Sequence, residues 1–525
     1  MGVPPPLTRE QVGERILAGD NLIILHNKVI RVPHSWLSSH PGGPLAILHF
    51  VGRDATDEVE AFHSDATLER IAKYSIGTVN VGQDGWEPFV PPIMNGWVRR
   101  MGSWYNEAAP VITGLNGDTN SKHSPASQIL LVERSETSPT SGPTLETLQP
   151  PPTTIDLKIS ARHSAAYKAL HKCIVDAGLY QCRYLTGYGP EIVRYILLAT
   201  FSAIAYHYKW FITSAVLLGL FWHQLTFTAH DLGHVGVTHN WTKDRLLGIF
   251  IADFLGGLSI GWWVDNHNTH HLVTNHPVHD PDIQHLPFFA ISPVFLGSLW
   301  SSYYKRVMAF DAFAKFFISI QHKLFYIVMA FARFNLYVLS YTYLAKHAFQ
   351  PKRAVGGRWW WWSEVVALGI FFYWYSSVLM GIPSLKTRLA YLAISHIVTS
   401  PLHVQIVLSH FSRSTDDLGP AESFPARQLR TTVDVICSPA IEFIHGGLHL
   451  QVTHHLFPRL PRHNLRAASK LAKEFAKENG LEYAEFGFIE GNGEVRGVLK
   501  QVAEQVKIVG MVADAHVREA VDSMN

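Results

Sequence analysis

The chain has 525 residues, a formal net charge of +2 and 16% charged residues, a balance with neither the basic footprint of a nucleic-acid binder nor an acidic tail. Three cysteines (Cys173, Cys182, Cys437), none in a CxxC pair, exclude a zinc ribbon, an iron–sulfur site and a disulfide framework, and fit a reducing, cytosol-facing environment. The compositional outlier is 30 histidines, and because they cluster they point to a metal protein.

The N-terminus opens with Pro4-Pro5-Pro6 and polar residues and shows no secretory signal. Long apolar runs begin only after about residue 190, so the chain is expected to start soluble and become membrane-bound. Residues 7–82 read as a small α+β domain. Leu22–Leu25 and Lys28–Val32 are predicted strands around a turn at His26-Asn27. His40-Pro41-Gly42-Gly43 then precedes an apolar helix, and Phe62-His63 follows a second one. His40 and His63 as paired imidazoles suit a low-spin haem whose task is electron transfer, since no axial position stays open for oxygen. This segment resembles cytochrome b5, whose haem motif is His-Pro-Gly-Gly with a second histidine downstream. The resemblance implies that His40 and His63 are the axial ligands of haem b.

Residues 114–156 are rich in Ser, Thr and Pro (Thr137 to Pro143, Pro150 to Pro152) and lack apolar periodicity. We read them as a flexible tether that raises the local concentration of the first domain near the C-terminal part of the chain. Apolar stretches come next at about 192–207, 210–228, 246–264, 323–345, 365–382 and 389–409. Clusters that share a metal lie on one side of a membrane, so an even number of crossings separates them. The 246–264 stretch is therefore expected to dip into the membrane without crossing. The 323–345 stretch carries Arg333, and a central arginine costs roughly 2.5–3.5 kcal/mol to insert, which places this stretch at the interface. Two transmembrane hairpins remain, 192–207 with 210–228 and 365–382 with 389–409. The tryptophans 359–362, preceded by Lys352, Arg353 and Arg358, mark a cytosolic start for the third crossing.

Three histidine clusters flank these stretches. His230-Asp-Leu-Gly-His234 has i, i+4 spacing. His267-Asn-Thr-His270-His271 and Gln451-Val-Thr-His454-His455 have i, i+3, i+4 spacing, which gathers side chains on one helical face. Seven histidines exceed the needs of one tetrahedral zinc, and the sequence has no His-Glu-x-x-His. A two-metal site fits the count, imidazoles suit iron, and oxygen chemistry needs a redox metal. An electron-transfer haem on the same chain would then reduce that pair. His276, His279 and His285 follow the second cluster among prolines and read as loop residues or outer partners, while Asp231 and Asn266 are candidates to orient imidazoles. Residues 471–525 are amphipathic and charged, and are expected to form a cytosolic helical region.

The clusters resemble the three boxes of the membrane desaturase and hydroxylase superfamily, over about 190–470. Gln451 at the head of the third box, with a cytochrome b5 domain in the same chain, resembles the front-end desaturase branch. His445 to Gln451 together with Leu456 to Asn464 are especially similar to its sphingolipid Δ8 desaturases. The family often has Glu before the last histidine pair, where this chain has Thr453. The resemblance implies an all-α membrane domain with two transmembrane hairpins and a cytosolic histidine-rich cap. It further implies two non-haem iron ions held by His230, His234, His267, His270, His271, Gln451, His454 and His455. Family structures add a histidine from the fourth crossing. His410 is the best match, with His403 and His396 on the same stripe roughly 10 and 20 Å deeper at 1.5 Å per residue.

The implied reaction is O2-dependent desaturation of a membrane lipid, with electrons from NAD(P)H through a separate cytochrome b5 reductase. The implied substrate is the long-chain base of ceramide at its 8,9 position, and the implied place is the endoplasmic reticulum membrane, multi-pass, with haem domain and boxes facing the cytosol. A Δ6 or Δ5 acyl-lipid desaturase shares every motif quoted, a lipid hydroxylase uses similar metal sites, and a non-catalytic haem adaptor would leave all three boxes idle.

Overall fold

The computed structural model describes residues 5–82, 85–108, 142–349 and 357–522. Residues 114–141 of the expected tether, and Lys352 and Arg353, lie outside the described residues.

The first domain has α+β elements. A capping box starts helix Arg9–Leu17: Thr8 Oγ1 accepts from the Gln11 amide, and the Thr8 amide donates to Gln11 Oε1. Strands β1 (Asn21–Leu25) and β2 (Lys28–Val32) form an antiparallel hairpin, and β3 (Ser75–Thr78) pairs with β2. His26 and Asn27 both have positive φ (49° and 62°), as a two-residue hairpin turn requires. Elements packed on this domain continue past residue 82. They include a hairpin of Trp97–Arg100 with Ser103–Asn106, tied back by Trp104 Nε1 donating to the Leu17 carbonyl.

The described part of the stretch read as a tether does not hang free. Leu148 is fully buried beside Phe89, Val51 and Trp86, and its carbonyl accepts from the Val90 amide. Leu148 lies in a polar, proline-rich run with no sustained apolar periodicity to announce its burial.

The rest of the described chain is mainly helical. Helices Gly189–His207 and Phe211–Gly233 pack antiparallel, with Ser202 Oγ donating to the Ser214 carbonyl and Tyr195 bonded to Thr228. Trp359–Met380 folds back on Leu385–Leu408 through a Tyr375–Ser395 hydroxyl contact. These pairs meet closely at Gly219, where a Cβ would lie 2.7 Å from the Ser395 carbonyl. Among the described residues three helices are long and apolar enough to cross a membrane, Phe211–Gly233, Trp359–Met380 and Leu385–Leu408; Gly189–His207, over the expected first crossing, is not one of them. Two further helix pairs are bent, by 112° at Trp241–Leu255 with Ile260–Leu272, and by 95° at Ala312–Ser319 with Gln321–Ala330. The chain is thus a membrane protein with several apolar helices.

Arg333 solves its solvation problem inside the protein. Its guanidinium donates to the Gly256 carbonyl at 2.6 Å and the Tyr337 hydroxyl at 3.1 Å, and it lies 4.6 Å from the centre of the Trp222 ring. Helix Ala332–His347 is not among the helices long and apolar enough to cross, and its arginine faces protein rather than lipid.

Candidate metal centre

The three boxes converge because their helices end at one place. His230 and His234 lie at the C-terminal turn of Phe211–Gly233. The second-box helix, Ile260–Leu272, is fixed at its start by acceptors from three directions. Ser259 Oγ accepts from the Trp262 amide, Asp253 from Ile260 and Glu364 from Gly261. Glu364 is paired with Arg245 and also accepts from the Ser259 hydroxyl. His267, His270 and His271 are thereby delivered at the other end of this helix. The third-box helix, Gln451–Leu456, has only 6 residues, and Asp434 accepts from its Val452 amide at 2.8 Å. Thr453, where the family often has Glu, contacts the Tyr483 hydroxyl at 3.1 Å, and Tyr483 donates to Asp434.

The ligand nitrogens sort into two pockets. His230, His234, His267 and His454 each offer a nitrogen within 4.8 Å of the others, and His270, His410 and His455 do the same. The second and third boxes therefore split their side chains between the pockets: His454 and His455 are ring-perpendicular at 88°. His271 sits between, its Nε2 3.1 Å from His267 Nε2 and 3.2 Å from His454 Nε2, its ring stacked 4.0 Å from His455. Trp263 walls the first pocket, 4.4 Å from the His267 ring and 5.1 Å from His230. Gln451 is buried on the same short helix, with no hydrogen-bond partner for its carbonyl oxygen among the described residues. His403 and His396 join neither pocket. His403 Nε2 faces Thr399 at 3.5 Å, and His396 bridges to the Tyr337 hydroxyl at 3.2 Å.

Outer partners fix which nitrogen faces inward. His270 Nδ1 meets Asp280 Oδ2 at 2.8 Å, His455 Nδ1 meets Gln428 Oε1 at 2.9 Å and His410 Nδ1 meets the Thr431 carbonyl at 3.2 Å. His230 Nδ1 lies 3.4 Å from Asp231, and His267 Nδ1 lies 3.5 Å from Asp282, which Asn266 holds. Asp231 is anchored by the Tyr188 hydroxyl at 2.5 Å and by Arg462, whose guanidinium also bonds Thr228 and Glu191. The loop histidines stand further out. His285 bonds the Asp282 carbonyl, His279 faces Ser302 and His276 faces Asp417. Sequence reasoning took up the histidines of this loop and missed its carboxylates, Asp280 and Asp282. Two acids among prolines just after a histidine box were the available signal.

These residues fit bound metal. His230 Nε2, both His234 nitrogens and His455 Nε2 are buried without a hydrogen-bond partner among the described residues, which is costly unless a cation takes the lone pairs. Burial and neighbouring histidines hold His454 and His455 well below the usual histidine range. Neutral imidazole is the ligating form.

A second slot lies beside this centre. The His40 and His63 rings stand 6.0 Å apart, with their Nδ1 atoms held by the Gly43 and Val59 carbonyls at 3.1 and 2.9 Å. Two metal–nitrogen bonds of about 2 Å plus the imidazole radii span such a gap, so the pair fits a haem iron. The domain carrying this slot is seated on the metal centre. Leu272 packs into its apolar cluster with Ile23 and Phe50, and Ala61 packs with Val452 and Leu456 of the third box.

Two histidine pockets at apolar helix ends, with a paired-histidine slot against them, define a membrane oxidoreductase with its own electron-transfer domain. Residues 208–487 match the fatty acid desaturase family, and residues 8–80 match the cytochrome b5-like heme/steroid binding domain. The chain belongs to the fatty acid desaturase family. It is similar nearly end to end to the Delta 8-(E)-sphingolipid desaturase of Emericella nidulans, at 44% identity over 96% of this chain and 95% of the relative. The enzyme of that name from Komagataella phaffii is 42% identical over 96% and 94%. The Delta(8)-fatty-acid desaturase 2 of Arabidopsis thaliana is 30% identical over 95% and 94%.

Proposed function

We propose that the chain is a Δ8 sphingolipid desaturase, which introduces a double bond between carbons 8 and 9 of the long-chain base of ceramide. The observation that carries this reading is the near-full-length similarity to fungal enzymes named Delta 8-(E)-sphingolipid desaturases. The balanced reaction turns –CH2–CH2–, O2, two electrons and two protons into –CH=CH– and two waters. Two iron ions, when bound, supply the oxygen activation that the chemistry requires. His230, His234, His267 and His454 hold one ion, and His270, His410 and His455 the other. His271 and Gln451 complete the set. Asp231, Asp280, Asp282, Gln428 and the Thr431 carbonyl engage the Nδ1 side of the rings, so that Nε2 faces the pockets.

His40 and His63 hold haem b, with electrons arriving from NAD(P)H through a separate cytochrome b5 reductase. The domain order is a haem domain over 7–82, a connecting stretch over 114–156, the membrane domain over 190–470 and a helical region over 471–525. The parity of crossings supports two transmembrane hairpins, with both sites on the cytosolic face of the endoplasmic reticulum. Burial of every proposed histidine ligand of the iron pair supports exclusion of water from the reacting methylenes.

The name of the plant relative, a fatty-acid desaturase, supports an acyl-lipid substrate as the second reading. The test of desaturation is reconstitution in vesicles containing ceramide, with O2, NADH and reductase. Wild-type protein is expected to form the unsaturated base, and His454→Ala to form none while its haem spectrum is unchanged. Product from the alanine variant would overturn the assignment of the metal site.

A further inference from the structure

Phe62 is bonded in the chain to one haem-slot ligand and packed in space against two metal-pocket residues. Its ring centroid lies 5.9 Å from that of His271, edge-on at 81°, and 6.5 Å from that of His234. His63, the next residue, has its ring 6.0 Å from His40. Phe62 also packs against both apolar clusters at this junction, the one with Leu272 of the second box and the one with Val452 and Leu456 of the third. The haem-slot loop also approaches the second-box helix closely: a Cβ on Gly43 would lie 2.0 Å from Asp265 Oδ1. A phenylalanine here has no hydrogen bond to make and no proton to exchange, so its placement answers to packing and to what the packed ring transmits.

We propose that Phe62 is the bridge for electrons between the haem slot and the metal pockets, and that the seated position of the haem domain is its electron-transfer position. This rests on the proposed function, in which the two sites hold haem and iron. Tunnelling through protein weakens steeply with distance and with empty gaps. One covalent link from His63 to Phe62, followed by ring contacts to His271 and His234, leaves a single through-space step. Each passage would oxidise the ferrous haem by one electron and reduce the metal pair by one, and two passages, with the haem re-reduced between them by the reductase, would serve one double bond. Phe62 is neither oxidised nor reduced and accepts no proton. It is a positioning residue that fills the gap.

The test uses the full-length protein loaded with haem and iron and reduced at the haem without oxygen. It is then mixed with O2 and ceramide, and haem reoxidation is followed by stopped-flow absorbance. Phe62→Ala is expected to slow reoxidation roughly tenfold or more, equivalent to about 1.4 kcal/mol of barrier, with haem spectrum, reduction potential and iron content unchanged. Phe62→Leu, which keeps apolar packing without the ring, is also expected to be slow, and Phe62→Trp to recover most of the rate. Wild-type reoxidation in the alanine or leucine variant overturns the proposal. A second measurement bypasses transfer: protein whose metal is reduced chemically is given O2 for one turnover. The variants are expected to form as much product as wild type. Product lost from prereduced variants alone would mean a damaged metal site, and overturns the bridge. Product lost from prereduced wild type overturns the desaturase reading, and the bridge with it.

Discussion

His270 shows how much of the metal centre rests on residues outside the boxes. Its spacing from His267 and His271 made it readable as a ligand, because helical periodicity is written in the sequence. Its partner Asp280 lies 10 residues on in an irregular loop, and the partner of His455, Gln428, lies 27 residues away on another helix. No periodicity reports such pairs. The same limit applies along the stripe of His396, His403 and His410: spacing placed them on one face, and only packing shows His410 beside His270 and His455. Asp280→Asn keeps the size of the side chain and removes the carboxylate charge that faces His270. It is expected to weaken iron binding about 10- to 100-fold, read by metal titration, with haem binding unchanged. Equal iron affinity in the variant would show that Asp280 does not tune the pocket.

At the scale of elements, the second-box helix depends on its buried start. Glu364 accepts from Ser259, Gly261 and Arg245, and it is buried. Glu364→Leu strands Arg245 and an amide of the first helical turn. Breaking a buried pair from one side costs about 3–5 kcal/mol, so a lower melting temperature and a loss of bound iron are expected together. An unchanged melting curve would refute this anchoring. The existence of this helix was readable from its histidine spacing. Its anchor was not, because Glu364 comes from a tryptophan-rich helix about a hundred residues later, and as a lone acid in an apolar run it carries no motif. Arg333 teaches the complementary lesson. A scale that charges every arginine for meeting lipid has no way to register Gly256, Tyr337 and Trp222 as partners.

At the scale of the whole molecule, the haem domain and the membrane domain meet across buried titratable groups. His49 is fully buried, and neither ring nitrogen has a hydrogen-bond partner among the described residues. Its ring is 5.1 Å from that of His279. Burial first, then His276, Lys305, Arg53 and Arg427, lower its pKa to about 3. The seated state therefore requires neutral His49, and opening that exposes the ring to water returns it towards the ordinary 6.5. Stability from this group is full above about pH 6.5 and is lost as pH falls from there towards 3. Hydrogen-exchange protection at residues 40–63, corrected for the intrinsic slowing of exchange in acid, is accordingly expected to fall on acidification in wild type and less so in His49→Phe. Identical pH profiles would contradict that account. The haem motif and the three boxes were legible as short local patterns, but the seating of one domain on the other was not, since Phe62, Leu272 and Leu148 are ordinary apolar residues until the fold brings them together. The claim on which the whole account depends is the substrate, and the most direct measurement is lipid analysis of a yeast lacking Δ8-unsaturated sphingoid bases, before and after expression of this chain. Sphingoid bases with a new 8,9 double bond and an unchanged fatty-acid profile are expected. New fatty-acid double bonds with unchanged sphingoid bases would contradict it.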